Sequence, residues 1–167
     1  MSQFTLRPEL AQERSRIATL IARSYGALGA QMIDMTGQLR SLPTADKDLA
    51  VVWADDNDKA VAYALFSPLT VGNAQALLLA PLAMDSKHPE IDYNAFLQDA
   101  IAHAHGLGHS TILMHGDLQE YKALGFMDAE DKGITSDLHY PGGILLAHVQ
   151  GDDNLPKGKV VYPDFIK

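Results

Sequence analysis

The sequence predicts an α/β fold with a mixed sheet, on the evidence of two patterns. Residues 49–84 read as three strands joined by short polar turns, and residues 74–115 read as strand, helix, strand. Strands in series with short turns are antiparallel, whereas a strand–helix–strand unit joins parallel strands. Further strand pattern follows toward the C-terminus, so helices and strands do not alternate throughout, which excludes a doubly wound fold.

The first third of the chain predicts a short strand followed by two helices. Residues 4–7 alternate apolar and polar, as a half-buried strand does. Pro8 permits a helix start, and the helix that follows is expected to carry Leu10, Ile17, Leu20, Ile21 and Tyr25 on one stripe and to end near Gly26. A second helix is expected over residues 31–42.

The middle of the chain predicts the meander and the crossover. Strands are expected at residues 49–54 and 60–69, separated by an acidic turn at 55–58. The next strand, Ala74–Met84, is apolar at nearly every position, which favours a central strand covered on both faces. A helix follows through residues 96–107 and ends at two glycines, and residues 110–114 form the next strand.

The remaining sequence predicts one short helix and more strand. Asp117 and Glu120 have the spacing of a capping box at the start of that helix, and Gly125 ends it. Phe126 begins another strand, and Ile144–Val149 is the last clear one.

Composition narrows the class of function. The chain has 167 residues, of which 47% are hydrophobic, enough for one domain with its own core. The absence of cysteine excludes disulfides, thiolate zinc sites and thiol catalysis. A net charge of −8 disfavours nucleic-acid binding. No apolar run has the roughly 18 residues of a membrane span, and the N-terminus is unlike a signal peptide, so we expect a cytoplasmic protein acting on a small molecule or another protein.

The first candidate site is the carboxyl end of strand Ala74–Met84 and the loop 85–94, where a crossover unit would bind an anion at a helix N-terminus. The loop has no glycine to let the backbone approach a phosphate, and Glu90 and Asp92 are negative. Only Lys87 and His88 favour an anion. The residues alone favour a capped helix entrance.

The second candidate is Tyr121, which in a short helix after a parallel strand could protonate a leaving group. The alternative is an amphipathic side chain packed with Leu124 and Phe126, and the residues alone favour that packing.

Histidines and acidic clusters give no metal site. His105 and His109 are four residues apart, but glycines lie between them and no carboxylate has a matching offset, so we expect no metal. His103 and His105 are expected on the exposed side of their helix. The acidic clusters at 55–58 and 152–154 are expected to be solvated turns rather than calcium loops. Serine-hydrolase, Walker and zinc-protease motifs are absent from the sequence.

Several segments, in order, resemble the GNAT superfamily of N-acetyltransferases, and within it a small bacterial branch of acyltransferases. The matching segments lie after the first strand, in the third and fourth strands, after the long helix and near the C-terminus. They are Arg7-Pro8-Glu9, residues 62–71, residues 79–84, Gly108-His109, Gly116-Asp117 with Tyr121 and Gly125-Phe126, residues 141–143 and residues 158–165.

This resemblance implies a single GNAT-like domain over residues 1–167, with a mostly antiparallel sheet splayed between strands 4 and 5. It implies acetyl-CoA as donor, with Leu82, Ala83 and Met84 pairing with the pantetheine arm. Tyr121 is the matching general acid for the departing thiolate. Candidates for the rest of the cofactor site are Lys87, His88 and Asn94.

The chain departs from the family at the diphosphate loop and on the fifth strand. Both loop glycines are missing, and the family's asparagine on the fifth strand is replaced in Met114-His115. His115 and Glu120 are the nearest candidates for a general base. Two hypotheses stay open: an N-acetyltransferase for a small-molecule or peptide amine with an altered cofactor site, or a GNAT-fold ligand-binding or interaction module that has lost acetyl-CoA. A homodimer is open in either case.

Overall fold

The computed structural model describes residues 4–139, 143–151 and 156–166. It has a mixed α/β fold with a nine-stranded, mostly antiparallel sheet in which β4 and β5 are parallel, as the sequence predicts. The helices are α1 (Arg14–Tyr25), α2 (Gly29–Arg40), α3 (Tyr93–Gly106) and α4 (Leu118–Tyr121). The strands are β1 (Thr5–Pro8), β2 (Ala50–Ala54), β3 (Ala60–Val71), β4 (Ala74–Met84), β5 (Thr111–Gly116), β6 (Met127–Asp128), β7 (Ile134–Thr135), β8 (Ile144–Val149) and β9 (Gly158–Val161).

The chain divides into two compact units. The first comprises Met1–Ser67 and Ala80–His103, and the second comprises Pro68–Leu79 and Ala104–Lys167. The single domain expected over residues 1–167 stays a prediction.

The first unit is built on the antiparallel strands β1 and β2 and the first part of β3. Leu6 of β1 pairs with Trp53 of β2, which in turn pairs with Ala62 of β3. Ile17, Leu20 and Ile21 of α1 are buried, as the helical spacing predicts. Leu10 precedes the helix and is exposed, and Tyr25 is half-buried, so the two ends of the predicted stripe are not buried. A Cβ on Gly29 would lie 2.9 Å from Ala22 Cα, so glycine allows the first turn of α2 to approach α1 closely.

The second unit contains the parallel pair and the strands that follow it. Leu77 and Leu78 of β4 pair with Ile112 and Leu113 of β5. All of β5 pairs with β8 in antiparallel register, and the end of β3 pairs with β9. The splay expected further along β4 and β5 stays a prediction.

Element boundaries differ modestly from those expected. Residues 11–13 form a 3-10 turn, so α1 begins at Arg14, and α2 begins two residues earlier than expected. The short strands β7 and β9 were not among the sequence-predicted elements. The resemblance at residues 141–142 and the acidic cluster at 152–154 lie outside the described residues.

No helix in the described part of the chain is long and apolar enough to cross a membrane.

Candidate functional site

The end of β4 presents two backbone amides to the last turn of α1. Leu82 N–H donates to Tyr25 Oη at 3.0 Å, and Met84 N–H donates to Ser24 Oγ at 3.1 Å. Residues two apart in a strand direct their amides to the same edge, so both donors share one side of β4. Ala83, between them, is buried. These amides are therefore bound to side-chain hydroxyls, which a ligand oxygen could replace.

Several backbone amides of the loop after β4 form hydrogen bonds within the loop itself. Lys87 N–H donates to Asp85 Oδ1 at 2.9 Å, and His88 N–H donates to the Asp85 carbonyl at 3.1 Å. Ile91 N–H donates to the His88 carbonyl at 3.2 Å. These amides already have acceptors inside the loop, so they are not arranged to receive a phosphate.

The first turn of α3 is capped by Asp92. Its side-chain Oδ1 accepts from Ala95 N–H at 3.2 Å, and its carbonyl accepts from Phe96 N–H at 3.0 Å. An N-cap carboxylate satisfies the orphan amides of a helix start and complements the helix dipole. Asn94, a predicted cofactor residue, is exposed on this turn. The carboxylate therefore holds the position at the helix start where an anion would bind.

A buried carboxylate organises the charges around the loop. Asp85 is 6% exposed in its side chain and pairs with Arg16 at 3.0 Å, with Arg23 at 4.0 Å. Burial opposes its ionisation, but the Lys87 amide and the Arg16 guanidinium hold the pKa of Asp85 below its usual value. The ring of His88 binds Glu90 through Nδ1 at 2.9 Å, while the Lys87 side chain is exposed.

The two parts of this site differ in their fit to acetyl-CoA. The amides of β4 have exchangeable oxygen partners, which fits the amide oxygens of a pantetheine arm. The loop does not fit a diphosphate, because its amides are engaged and it carries three carboxylates, Asp85, Glu90 and Asp92.

Tyr121 lies in the second unit, at the end of α4. Asp117 caps that helix by accepting from Gln119 N–H at 3.0 Å. The tyrosine is 8% exposed, and its ring meets Phe126 edge-to-face with centroids 5.9 Å apart. A Cβ on Gly116 would lie 2.8 Å from the Tyr121 ring, so glycine makes room for it. The predicted packing with Phe126 is present; the predicted role as an acid is a separate property that this packing does not decide.

His115, a candidate base, belongs to a polar chain that includes two residues the sequence did not indicate. Its Nε2 lies 3.0 Å from Tyr162 Oη, which lies 2.7 Å from Ser136 Oγ. Burial lowers the pKa of His115 to about 4, so its ring is neutral at pH 7. Glu120, the other candidate, is exposed.

The expectation that His103 and His105 line the exposed side of α3 is wrong. Both are half-buried: His103 Nε2 lies 2.8 Å from the Asp48 carbonyl, and His105 Nε2 lies 3.0 Å from His148 Nδ1. The other ring nitrogen of His105 faces the His109 carbonyl at 2.7 Å. Asp48 and His148 hold these rings and are distant from them in sequence, and such contacts produce no periodic pattern that a sequence could show. Within the described ranges, no cluster of three or more His, Asp or Glu is placed to hold a metal ion.

The contacts of Ser24 and Tyr25 were also missed from the sequence. The apolar spacing of α1 placed Tyr25 on the buried stripe, and the neighbouring serine carries no motif. Only the packing of α1 against the end of β4 reveals that their hydroxyls meet backbone amides.

No protein-family model matches the sequence, and no curated protein matches it. Solved structures do match. The GNAT family N-acetyltransferase YhbS from Escherichia coli, in complex with CoA, has a TM-score of 0.84 at 23% identity, over 99% of this chain and 92% of that one. A GNAT family acetyltransferase from Brucella melitensis, in complex with acetyl-CoA, has a TM-score of 0.75 at 19% identity, over 99% of both chains.

A third structure, described as histone acetyltransferase HPA2 and related acetyltransferase from Corynebacterium glutamicum, gives a TM-score of 0.66 at 16% identity, over 93% of this chain and 100% of that one. The order of helices and strands and the parallel β4–β5 pair agree with the similarity to these structures. The chain therefore has the GNAT fold that its sequence resemblance implies.

Proposed function

We propose that the chain is an N-acetyltransferase that takes acetyl-CoA as donor through a site in which β4, and not the diphosphate loop, supplies the main contacts. The observation that carries the proposal is the pair of β4 amides, Leu82 N–H and Met84 N–H, each of which donates to a side-chain hydroxyl. The GNAT fold and the CoA or acetyl-CoA in two similar structures support the choice of donor.

The candidate residues divide into those that would bind the cofactor and one that would act as an acid. Acetyl-CoA would supply an acetyl thioester. Leu82, Ala83 and Met84 would hold the pantetheine arm through their backbone, and Lys87, His88 and Asn94 would provide the remaining polar contacts. The neutral amine nitrogen would form a bond to the thioester carbonyl carbon as the C–S bond breaks, and Tyr121 Oη would give its proton to the leaving thiolate. The proton that the nitrogen loses would pass to water, which would reprotonate Tyr121. The acceptor would be a small-molecule or peptide amine, and we expect the reaction in the cytoplasm.

The altered loop makes the affinity low. A charge-assisted hydrogen bond contributes about 1.5–3 kcal/mol, so each one missing weakens binding by roughly ten-fold to a hundred-fold. Lys87 and His88 offset this only in part, because His88 is engaged by Glu90. We therefore expect a weak complex.

The test combines titration calorimetry with thiol release. Acetyl-CoA should bind the wild type, and a panel of amines should then release CoA. Tyr121→Phe should bind acetyl-CoA as the wild type does but lose most of the turnover, whereas Tyr63→Phe, which removes a hydroxyl outside loop 85–94 and the end of β4, should keep it. Equal turnover in Tyr121→Phe and the wild type would reject the assigned acid.

One observation favours a second function. Because the loop amides and the α3 N-terminus are bound to the chain's own oxygens, the GNAT fold here can serve as a ligand-binding or protein-interaction module without acetyl-CoA. Absence of heat and of thermal shift up to about millimolar acetyl-CoA would select this function.

A further inference from the structure

A pocket of about 250 Å³ lies in the first unit, away from the end of β4. It is lined by the beginning of α1, the end of α2, the residues that follow α2 and the neighbouring parts of β2 and β3. The helix α1 has 12 residues, which is about 18 Å of length, and Ser24 and Tyr25 are at its other end. The pocket is therefore separate from the proposed acetyl-CoA contacts.

The inner wall of this pocket is apolar with one polar atom. Leu39, Leu65 and Phe66 line it, and all three are buried residues of α2 and β3. Ser67 also lines it; its Oγ is buried and has no hydrogen-bond partner among the described residues. Native proteins rarely leave a buried hydroxyl unsatisfied. The wall thus suits an apolar group and retains one unmet polar contact.

One ion pair that lines the pocket has no net charge. Arg40 binds Glu9 through two hydrogen bonds of 2.8 Å, and Tyr63 Oη donates to the same carboxylate at 3.2 Å. In a bidentate pair of this kind, the positive and negative charges neutralise each other. The Glu9–Arg40 pair therefore adds no net charge to the lining of the pocket.

The rim carries two cations that are available. Arg14 and Lys47 are exposed lining residues, and neither side chain has a hydrogen bond or ion pair to another residue in the described ranges. Asp46, the remaining acid of the rim, uses one oxygen to accept from Asp48 N–H at 2.9 Å. With Glu9 and Arg40 cancelling, the rim has a net charge of +1 in a chain whose net charge is −8.

We propose that this pocket binds a small organic monoanion with a short apolar tail, such as a medium-length carboxylate. Arg14 and Lys47 hold the anionic head, and the tail lies against Leu39 and Leu65. The volume is below the range of about 300–1,000 Å³ for drug-sized ligands, so the ligand is smaller than those. The proposal does not depend on the chain being an acetyltransferase.

The test is a titration of the isotope-labelled full chain with hexanoate, followed by amide chemical shifts. We expect saturable shifts confined to residues 9–14, 39–50 and 65–67, with a millimolar Kd. Hexanamide, which has the same tail without charge, should bind at least ten-fold more weakly. Arg14→Gln and Lys47→Gln should each weaken hexanoate binding about three-fold to ten-fold, since a charge-assisted bond is removed.

The control is Lys59→Gln, which removes one exposed cation outside the pocket and should leave the Kd unchanged. Saturable binding that weakens only in the two pocket variants supports the proposal. It is overturned by unsaturated shifts up to about 100 mM, by equal affinity for hexanamide, or by equal weakening in all three variants. Unchanged dispersion of the amide spectrum in each variant shows that the fold is intact.

Discussion

At the residue scale, the hydroxyls of Ser24 and Tyr25 are internal partners for donors that a ligand would otherwise use. Ser24 Oγ accepts from Met84 N–H at 3.1 Å, and Tyr25 Oη accepts from Leu82 N–H at 3.0 Å. A ligand oxygen must displace them, so part of its binding free energy replaces a bond that already exists. This competition is a second reason, beside the loop, to expect that acetyl-CoA would bind weakly.

The competition predicts an unusual effect of Tyr25→Phe. Without the hydroxyl, Leu82 N–H loses this partner, which should lower the free energy of unfolding by about 1 kcal/mol. The same loss should tighten acetyl-CoA binding several-fold, because the ligand then satisfies an unpaired donor. Urea unfolding and calorimetry measure the two effects. Weaker binding in Tyr25→Phe would mean that the hydroxyl contributes to the ligand site instead.

A buried histidine predicts how stability depends on pH. Burial lowers the pKa of His115 to about 4 in the folded chain, and the unfolded value is about 6.5. Between these values the unfolded state binds more protons, so stability rises with pH across this window and is fully present above pH 6.5. Burial, with the neighbouring His105, also lowers the pKa of His148, which adds an effect of the same sign.

Urea unfolding at pH 5 and pH 7 should show a loss of about 1–2 kcal/mol at the lower pH from His115, reduced by the partial exposure of its ring. His115→Gln, which does not titrate, should show a smaller loss. An identical pH dependence in the variant and the wild type would contradict the assignment to His115.

At the element scale, the start of α3 shows how one residue determines what a helix N-terminus can bind. Asp92 accepts from Ala95 N–H and Phe96 N–H, through its side chain and its carbonyl respectively. The helix dipole that would favour an anion is already complemented by this carboxylate. The loop therefore stabilises the fold at the expense of an anion site.

Substitution of Asp92 separates its effect on the stability of the fold from its effect on anion binding. Asp92→Ala should lower the free energy of unfolding by about 1 kcal/mol, as N-cap removal does, whereas Asp92→Ser should restore most of it because serine also caps. Both variants remove a negative charge, so both should bind acetyl-CoA more tightly than the wild type. Thermal unfolding and calorimetry test this; unchanged affinity in both variants would show that Asp92 does not oppose the ligand.

The elements themselves were largely predictable from the sequence. The bounds of β4 and β8 agree with the expected strands because both are apolar runs bounded by turn residues. The end of α1 at Gly26 was also predictable, since its φ of +55° favours glycine. The strand β7 has two residues, which is too short for a periodic signal. The strand β9 has four residues, like β1, but its sequence Gly-Lys-Val-Val does not alternate between apolar and polar residues.

The candidate site was predictable only in part. The acidic, glycine-free loop is visible in the sequence and indicates a poor diphosphate site. The hydroxyl contacts of Ser24 and Tyr25, the chain from His115 to Ser136 and the His105–His148 pair join residues distant in sequence. Such contacts depend on tertiary packing, which neither spacing nor composition encodes in a single sequence.

At the scale of the whole molecule, the chain has a GNAT fold, but its loop at residues 85–94 lacks the glycines that the family resemblance leads us to expect at a diphosphate site. The net charge of −8 acts in the same direction, since an acidic chain repels a ligand with several phosphate charges. The central claim of the proposed function is that the backbone of β4, and not the diphosphate loop, would hold acetyl-CoA in this chain.

Titration calorimetry with acetyl-CoA and with acetyl-pantetheine, which lacks the diphosphate and the nucleotide, tests that claim most directly. The two ligands should bind with Kd values within about three-fold of each other at moderate salt, because the loop contributes little. Acetyl-CoA binding more tightly by about a hundred-fold or more, with strong salt dependence, would show that the loop holds the diphosphate and would contradict the claim.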